Sequence, residues 1–178
     1  MKSKALICTR CNLHMTRKNV VWGSGPINSK VKLIGEAPGA NEDEAGSPFC
    51  GRTGIYLTGT LIRLSGLKQI RRHIFVTNMI MCRPPNNRPP SDEEVTACSI
   101  FLRYKLNHYK PRVVGCIGKI AATHLIGPEF EWNGEYKDYG ITYIPVFHPS
   151  YVMRQPNHKD VVESFEYGLR KILSKGGL

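Results

Sequence analysis

Val31-Lys32-Leu33-Ile34-Gly35-Glu36-Ala37-Pro38-Gly39 opens as a short, mostly apolar run and ends in glycine and proline. Its first four residues read as a buried strand. Three further runs match it: Ile74 to Met79, Val113 to Ile117 and Tyr143 to Phe147. Patterns with helical spacing separate the four, the alternation of a parallel sheet covered on both faces. The expected fold class is α/β, a three-layer α/β/α sandwich with a central four-stranded parallel sheet.

The intervening helices carry their own boundary signals. Ser91-Asp92-Glu93-Glu94 is a capping-box sequence, and Val95, Cys98, Leu102, Leu106 and Tyr109 follow at helical spacing. Pro111 ends that helix before the third strand. A last helix is expected from about Asp160 to Leu173, with Val161, Val162, Phe165, Leu169 and Ile172 inward and Gly176-Gly177 beyond its end. Arg83 to Pro90 holds four prolines and two asparagines and reads as a rigid extended loop.

No repeat or linker divides the sequence, and 178 residues suffice for one domain with its own core. No run approaches the roughly 20 apolar residues of a membrane span, and no secretory signal is visible. A reducing, cytoplasmic setting is expected, in which cysteines act as ligands or thiols rather than as a disulfide framework. Lys and Arg number 25 against 14 Asp and Glu, a net charge of +11. Such a field attracts polyanions, so nucleic acid is the favoured partner and an anionic membrane surface the second. A monomer is expected.

Ligands of open α/β sheets bind beyond the carboxyl ends of the strands. Here those ends carry Gly35-Glu36-Ala37-Pro38-Gly39, then Asn78, then Gly118, then His148-Pro149-Ser150. Elsewhere, Cys8-Thr9-Arg10-Cys11 sets two thiols in one turn, while Cys82 lies near a strand end and Cys98 on a helix. Four thiolates of this kind hold iron–sulfur clusters and structural zinc alike. Residues 1–178 therefore read as one domain whose N-terminal segment is tied to the core by a metal centre. Cys50 and Cys116 are assigned to packing.

Several ordered motifs are similar to those of one family. Gly35-Glu36-Ala37-Pro38-Gly39, with Glu42-Asp43 and Gly46-Ser47-Pro48-Phe49-Cys50-Gly51-Arg52, resembles the first motif of family 4 uracil-DNA glycosylases. Val76-Thr77-Asn78 with Cys82-Arg83-Pro84-Pro85-Asn86-Asn87-Arg88 resembles that family's second strand and loop, and His148-Pro149-Ser150-Tyr151 its final motif. The likeness runs from about Cys8 to the last helix. It implies that Cys8, Cys11, Cys82 and Cys98 hold a structural [4Fe–4S] cluster. Two departures stand out, Cys50 in place of an aliphatic residue and Val152 near a usual leucine. A sister group that bonds covalently to its product carries an arginine- and histidine-containing loop after the asparagine motif. The short proline loop here implies ordinary turnover.

The resemblance also implies roles. Related enzymes place an aspartate where Ala37 stands, so another carboxylate must position the attacking water, Glu42 first and Glu36 next. Asp43 and Glu44 read as a solvated acidic turn. Gly35, Ala37, Phe49 and Asn78 form the base pocket: Phe49 stacks on a flipped pyrimidine, and the Asn78 amide pairs with uracil O4 and N3–H. His148 donates to uracil O2 as charge gathers on the leaving base. A bare capping role is disfavoured because Pro149-Ser150 is read as opening a loop. Arg52, Arg83, Arg88 and Arg154 lie where phosphates would run. Tyr151, with Val152 and Met153, would wedge into the base stack. The expected activity is removal of uracil from single- or double-stranded DNA without strand scission. The alternatives are a non-catalytic DNA-binding protein attached to a replication polymerase, and a glycosylase for hypoxanthine or xanthine.

Overall fold

The computed structural model describes residues 1–178. In chain order the elements are α1 (Lys2–Leu6), β1 (Val31–Gly35), α2 (Ala40–Ala45), α3 (Arg52–Ser65), β2 (Ile74–Asn78), α4 (Asp92–Asn107), β3 (Val113–Ile117), α5 (Lys119–Ile126), β4 (Tyr136–Asp138), β5 (Ile141–Val146), α6 (Pro149–Arg154) and α7 (Lys159–Gly176). The sheet runs β2-β1-β3-β5-β4. Four strands are parallel, with Val31 opposite both Ile74 and Val113, and Val113 opposite Thr142.

The sheet has five strands, not four. β4 pairs antiparallel to β5 through a two-residue turn, Tyr139-Gly140, with φ of 45° and 81°. Two positive φ values give the hairpin turn whose twist matches that of the strands. Exposed and only three residues long, β4 has no apolar alternation for a sequence reading to find. β5 also begins two residues earlier than expected.

Alternation sorts the strand residues into layers. Val31, Leu33, Val76 and Val113 pack with Leu57 and Leu61 of α3 and with Phe165, Leu169 and Ile172 of α7. On the other face Ile34, Val114 and Cys116 meet Leu106 of α4 and Ala121 and Ala122 of α5. A third cluster, including Ala5, Leu13, Trp22, Phe75 and Phe101, fastens the N-terminal segment to α4 and β2. Ser24 bridges to Val76, covering the free edge of β2.

Lys32 is fully buried inside the first apolar run. Its ammonium donates to the Ile27 carbonyl and lies 4.7 Å from the centre of the Phe75 ring. Burial pulls its pKa down to about 8.

The capping box of α4 forms in full. The Glu94 amide donates to Ser91 Oγ at 3.3 Å, and the Ser91 amide donates to Glu94 Oε2 at 2.9 Å. Such a cap contributes about 1 kcal/mol. Two boundary expectations change. Gly176 belongs to α7 and packs so tightly that a Cβ there would lie 2.0 Å from Val31 Cγ2; Gly177, with φ of 78°, is the cap. The proline loop is not wholly extended, because Pro85–Asn87 make one 3₁₀ turn with Asn86 and Asn87 left-handed. No helix is long and apolar enough to cross a membrane.

Candidate active site

The carboxyl ends of β1, β2 and β5 open into a pocket of about 500 Å³. Glu36, Ala37, Glu42, Phe49, Asn78, Arg88, His148 and Arg154 all line it, so eight sequence-selected positions meet in one place. Gly35 sits at its base. A Cβ there would lie 2.6 Å from Asn78 Oδ1 and 2.7 Å from the Phe49 ring, so only glycine lets both side chains close over this strand end. Asn78 leaves the last residue of β2 and is 3% exposed.

Glu42 lies on α2 and half-faces the pocket. Its Oε1 accepts from the Gly51 amide at 3.1 Å, which fixes the carboxylate and leaves Oε2 for another donor. Glu36 is half-buried, and that burial raises its pKa against a smaller opposing effect of His124. Asp43 is not solvated as expected. Only 3% exposed, it accepts from the Lys18 amide at 3.0 and 3.1 Å and from the Asn19 amide at 3.1 Å. It clamps the N-terminal segment onto α2.

His148 corrects the sequence reading. Residues Pro149–Arg154 form α6 rather than a loop, and His148 is its N-cap. The Ser150 backbone amide donates to Nδ1 at 3.2 Å, and Ser150 Oγ lies 2.7 Å from the same nitrogen. A backbone N–H cannot accept, so Nδ1 is the acceptor and Nε2 carries the proton. Burial, reinforced by Arg154 and opposed by Glu42, pulls the pKa down to about 4. The cap therefore sets the tautomer, and the pocket wall presents a neutral imidazole with one N–H.

Phe49 is 7% exposed and holds a left-handed φ of 52°. Arg71 Nη2 donates to its carbonyl at 2.9 Å, and a Cβ on Gly54 would lie 2.0 Å from the same oxygen. Arg71 also reaches Thr58 Oγ1 at 3.3 Å, while its Nη1 is buried without a partner. Burial lowers the pKa of Arg71. This residue, which no motif marked, braces the Phe49 backbone from behind.

The cationic positions separate. Arg154 is exposed on the pocket rim. Arg88 also reaches the rim, but its guanidinium is forked onto Glu94 at 2.6 and 2.9 Å. Arg83 donates to Asn87 Oδ1 at 2.7 Å, and Arg52, exposed at the start of α3, does not line the pocket. Tyr151 is 40% exposed, whereas Val152 is 1% exposed in the core and cannot wedge between bases.

Cys8, Cys11, Cys82 and Cys98 line a single small cavity with Arg10, Arg17, Met81 and Ala97. Arg17 Nη1 lies 3.3 Å from Cys82 Sγ, and burial raises the pKa of Cys82 and takes that of Cys98 to about 11. No three histidine, cysteine or carboxylate side chains close on a single-ion geometry. The donor set itself, four soft thiols in an otherwise apolar and cationic wall, suits an anionic thiolate-held group. Cys116 is buried as expected, but Cys50 is exposed, not packed. Behind the cavity, Lys105 is 1% exposed and donates to the Trp22 carbonyl at 2.6 Å and to Thr77 Oγ1 at 2.9 Å, joining α4 to the residue before Asn78.

A carboxylate, an amide, an aromatic ring and a neutral imidazole meet at the strand ends of an α/β protein, a set of groups able to hold and polarise a flat, polar ring. The model of the uracil DNA glycosylase superfamily matches residues 22–167. A type-4 uracil-DNA glycosylase of Thermotoga maritima is 38% identical over 163 residues, covering 85% of this chain and 81% of its own. One of Pyrobaculum aerophilum is 39% identical over 183 residues, covering 93% and 92%. A type-5 enzyme of the same organism is 28% identical and covers 64% of this chain and 62% of its own. The chain belongs to the uracil DNA glycosylase superfamily and within it to the type-4 group.

Proposed function

We propose that this protein removes uracil from DNA by extruding the base into the strand-end pocket and hydrolysing its glycosidic bond, leaving an abasic site. The observation that carries the reading is the convergence of Glu42, Phe49, Asn78 and His148 on that pocket. Phe49 offers a ring face to the base. The Asn78 amide offers one donor and one acceptor to O4 and N3–H, a pairing cytosine reverses or loses. An unmatched buried partner costs roughly 1–3 kcal/mol.

The Nε2 proton of His148 serves O2, where charge gathers as the bond to the sugar breaks. A neutral donor stabilises that charge without giving up its proton. The free oxygen of Glu42 orients water toward the sugar carbon, and its charge faces the developing oxocarbenium ion. Burial raises the pKa of Glu36, which disfavours its anionic form.

Cys8, Cys11, Cys82 and Cys98 are assigned to a structural [4Fe–4S] cluster, supported by the four-thiol cavity and the family motif. The cluster supplies a rigid tie among the N-terminal segment, the exit of β2 and α4. Base excision is a hydrolysis and needs no electron from it. DNA as the partner is supported by the +11 charge and by Arg154 on the pocket rim.

The test is single-turnover excision from matched oligonucleotides carrying uracil or cytosine, read by alkaline cleavage. Asn78→Asp loses most uracil excision and gains relative activity on cytosine, because a carboxylate accepts from the N4 amino group but cannot donate to O4. Unchanged uracil rates in Asn78→Asp would remove the base-reading role.

A further inference from the structure

Beside the strand-end pocket lies a second cleft of about 520 Å³, sharing Glu36, His148, Ser150 and Arg154 as a common wall. Three aromatic residues line it in a continuous row. The rings of Trp132 and Phe147 are 4.4 Å apart, those of Phe147 and Tyr151 5.3 Å, each pair tilted by 41°. Trp132 and Phe147 are half-buried and Tyr151 is 40% exposed, so the row is not sealed into the core. Lys119 and Arg154 supply positive charge to the same cleft. None of the roles assigned to the strand-end pocket uses Trp132, Phe147 or Lys119.

We propose that this cleft seats the base of a nucleotide adjacent to the extruded uracil in the same strand. Its ring would stack on the Trp132–Phe147–Tyr151 row, with the intervening phosphate near Arg154 and Lys119. The inference rests on the excision reading above. Extruding one base takes a stacking partner from each neighbour, and aromatic side chains replace such contacts without regard to base identity. The shared wall gives continuity with the catalytic pocket, and the two cations match a phosphate in charge. A flat base plus one phosphate is the occupant that both features fit.

The protein holds only two tryptophans, and Trp22 is 6% exposed in the core, so Trp132 emission reports on this cleft. The experiment titrates the full chain with a single-stranded oligonucleotide carrying an uncleavable 2′-fluoro-deoxyuridine. It then repeats the titration with a base-free residue on the 5′ side, the 3′ side or both. The intact oligonucleotide quenches Trp132, and removing the base on one side abolishes the quench and weakens binding by about 5- to 150-fold. Trp132→Leu and Tyr151→Ala weaken binding of the intact oligonucleotide similarly but add little once that neighbouring base is gone. Tyr151 is exposed, so its variant keeps the test valid if Trp132→Leu fails to fold. Affinity and emission indifferent to both neighbouring bases would overturn the proposal, as would variants that weaken the base-free oligonucleotide equally. Absence of excision from every uracil oligonucleotide would instead overturn the function, so the two failures are distinct.

Discussion

In the strand-end pocket each working side chain leaves a piece of backbone that the core has already fixed: Asn78 ends β2, His148 caps α6, and Gly35 lets Asn78 and Phe49 close together. In the cysteine-lined corner, Cys8 and Cys11 leave a segment bordered only by the five-residue α1 and a 3₁₀ turn at Asn12–Met15. Its anchors are Ala5 and Leu13 in the third cluster, Arg10 on the Ala97 carbonyl, Arg17 on Cys82, and Lys18 and Asn19 on α2. The pocket is organised by the chain itself. The corner rests on a few side-chain ties and, on the proposed reading, on the cluster its four thiols would hold. On that reading chemistry and stability are lodged in different parts of the fold, with Lys105, Thr77 and the Trp22 carbonyl as the link between them.

The comparison is sharpest where the effect is largest. His148→Ala lowers single-turnover excision by about 10²–10³, the usual cost of one donor to a developing anion. It leaves iron content and affinity for an uncleavable uracil oligonucleotide nearly unchanged. Loss of iron in that variant would break the separation. The pH profile adds a second reading of the same residue. With its folded pKa near 4, His148 stays neutral across the physiological range, so its acid limb in excision falls close to pH 4 rather than 6.5. Stability runs the same way. Between about pH 6.5 and 4 the unfolded imidazole takes up a proton that the folded one refuses, so stability present above 6.5 is lost as pH falls through that window. Denaturant titrations of wild type and His148→Gln check it; equal pH dependence in the two would contradict the assignment.

Cys8→Ala makes the converse change. It should abolish iron and sulfide and cost at least about 2 kcal/mol, roughly 4–8 °C in Tm for a chain of this size. Excision per folded molecule at low temperature should change far less than in His148→Ala. Stoichiometric zinc without iron, after anaerobic purification, would overturn the cluster. Arg71→Met tests the back of the pocket. Losing the bond to the Phe49 carbonyl costs about 1.4 kcal/mol, near tenfold in kcat/KM, with Arg71→Lys recovering part of it. Arg154→Ala is the mildest, lowering the log–log salt slope of duplex binding by about one.

The sequence disclosed most of this arrangement because parallel strands are continuous apolar runs and their ligands gather at the carboxyl ends. Asn78 and His148 could be picked out by position alone. The hidden parts share a physical cause. β4 is short and solvated, so burial imposes no pattern on it. Lys32 is buried against the Ile27 carbonyl five residues back and the distant Phe75 ring, and Lys105 against the carbonyl and ring of the distant Trp22, so little beside them in the chain signals their burial. Arg71 sits in a basic tract, Arg71-Arg72-His73, and its partner Phe49 is 22 residues away. The exposure of Cys50 depends on loop placement, and the burial of Val152 on how α6 packs against the core, rather than on local composition.

Arg71 grips Phe49 by its carbonyl, an atom every amino acid possesses, and the bare Gly54 leaves that carbonyl room. The carbonyl contacts therefore fix where the side chain at this position departs, while the core and the bare Gly35 set the space its ring fills. The left-handed backbone favours some replacements over others, but no contact in the grip reads the ring. A library of flat or similarly sized residues at position 49 thus explores the face presented to a base with the backbone hold unchanged, and position 49 becomes the natural starting point for redirecting this protein toward other lesions.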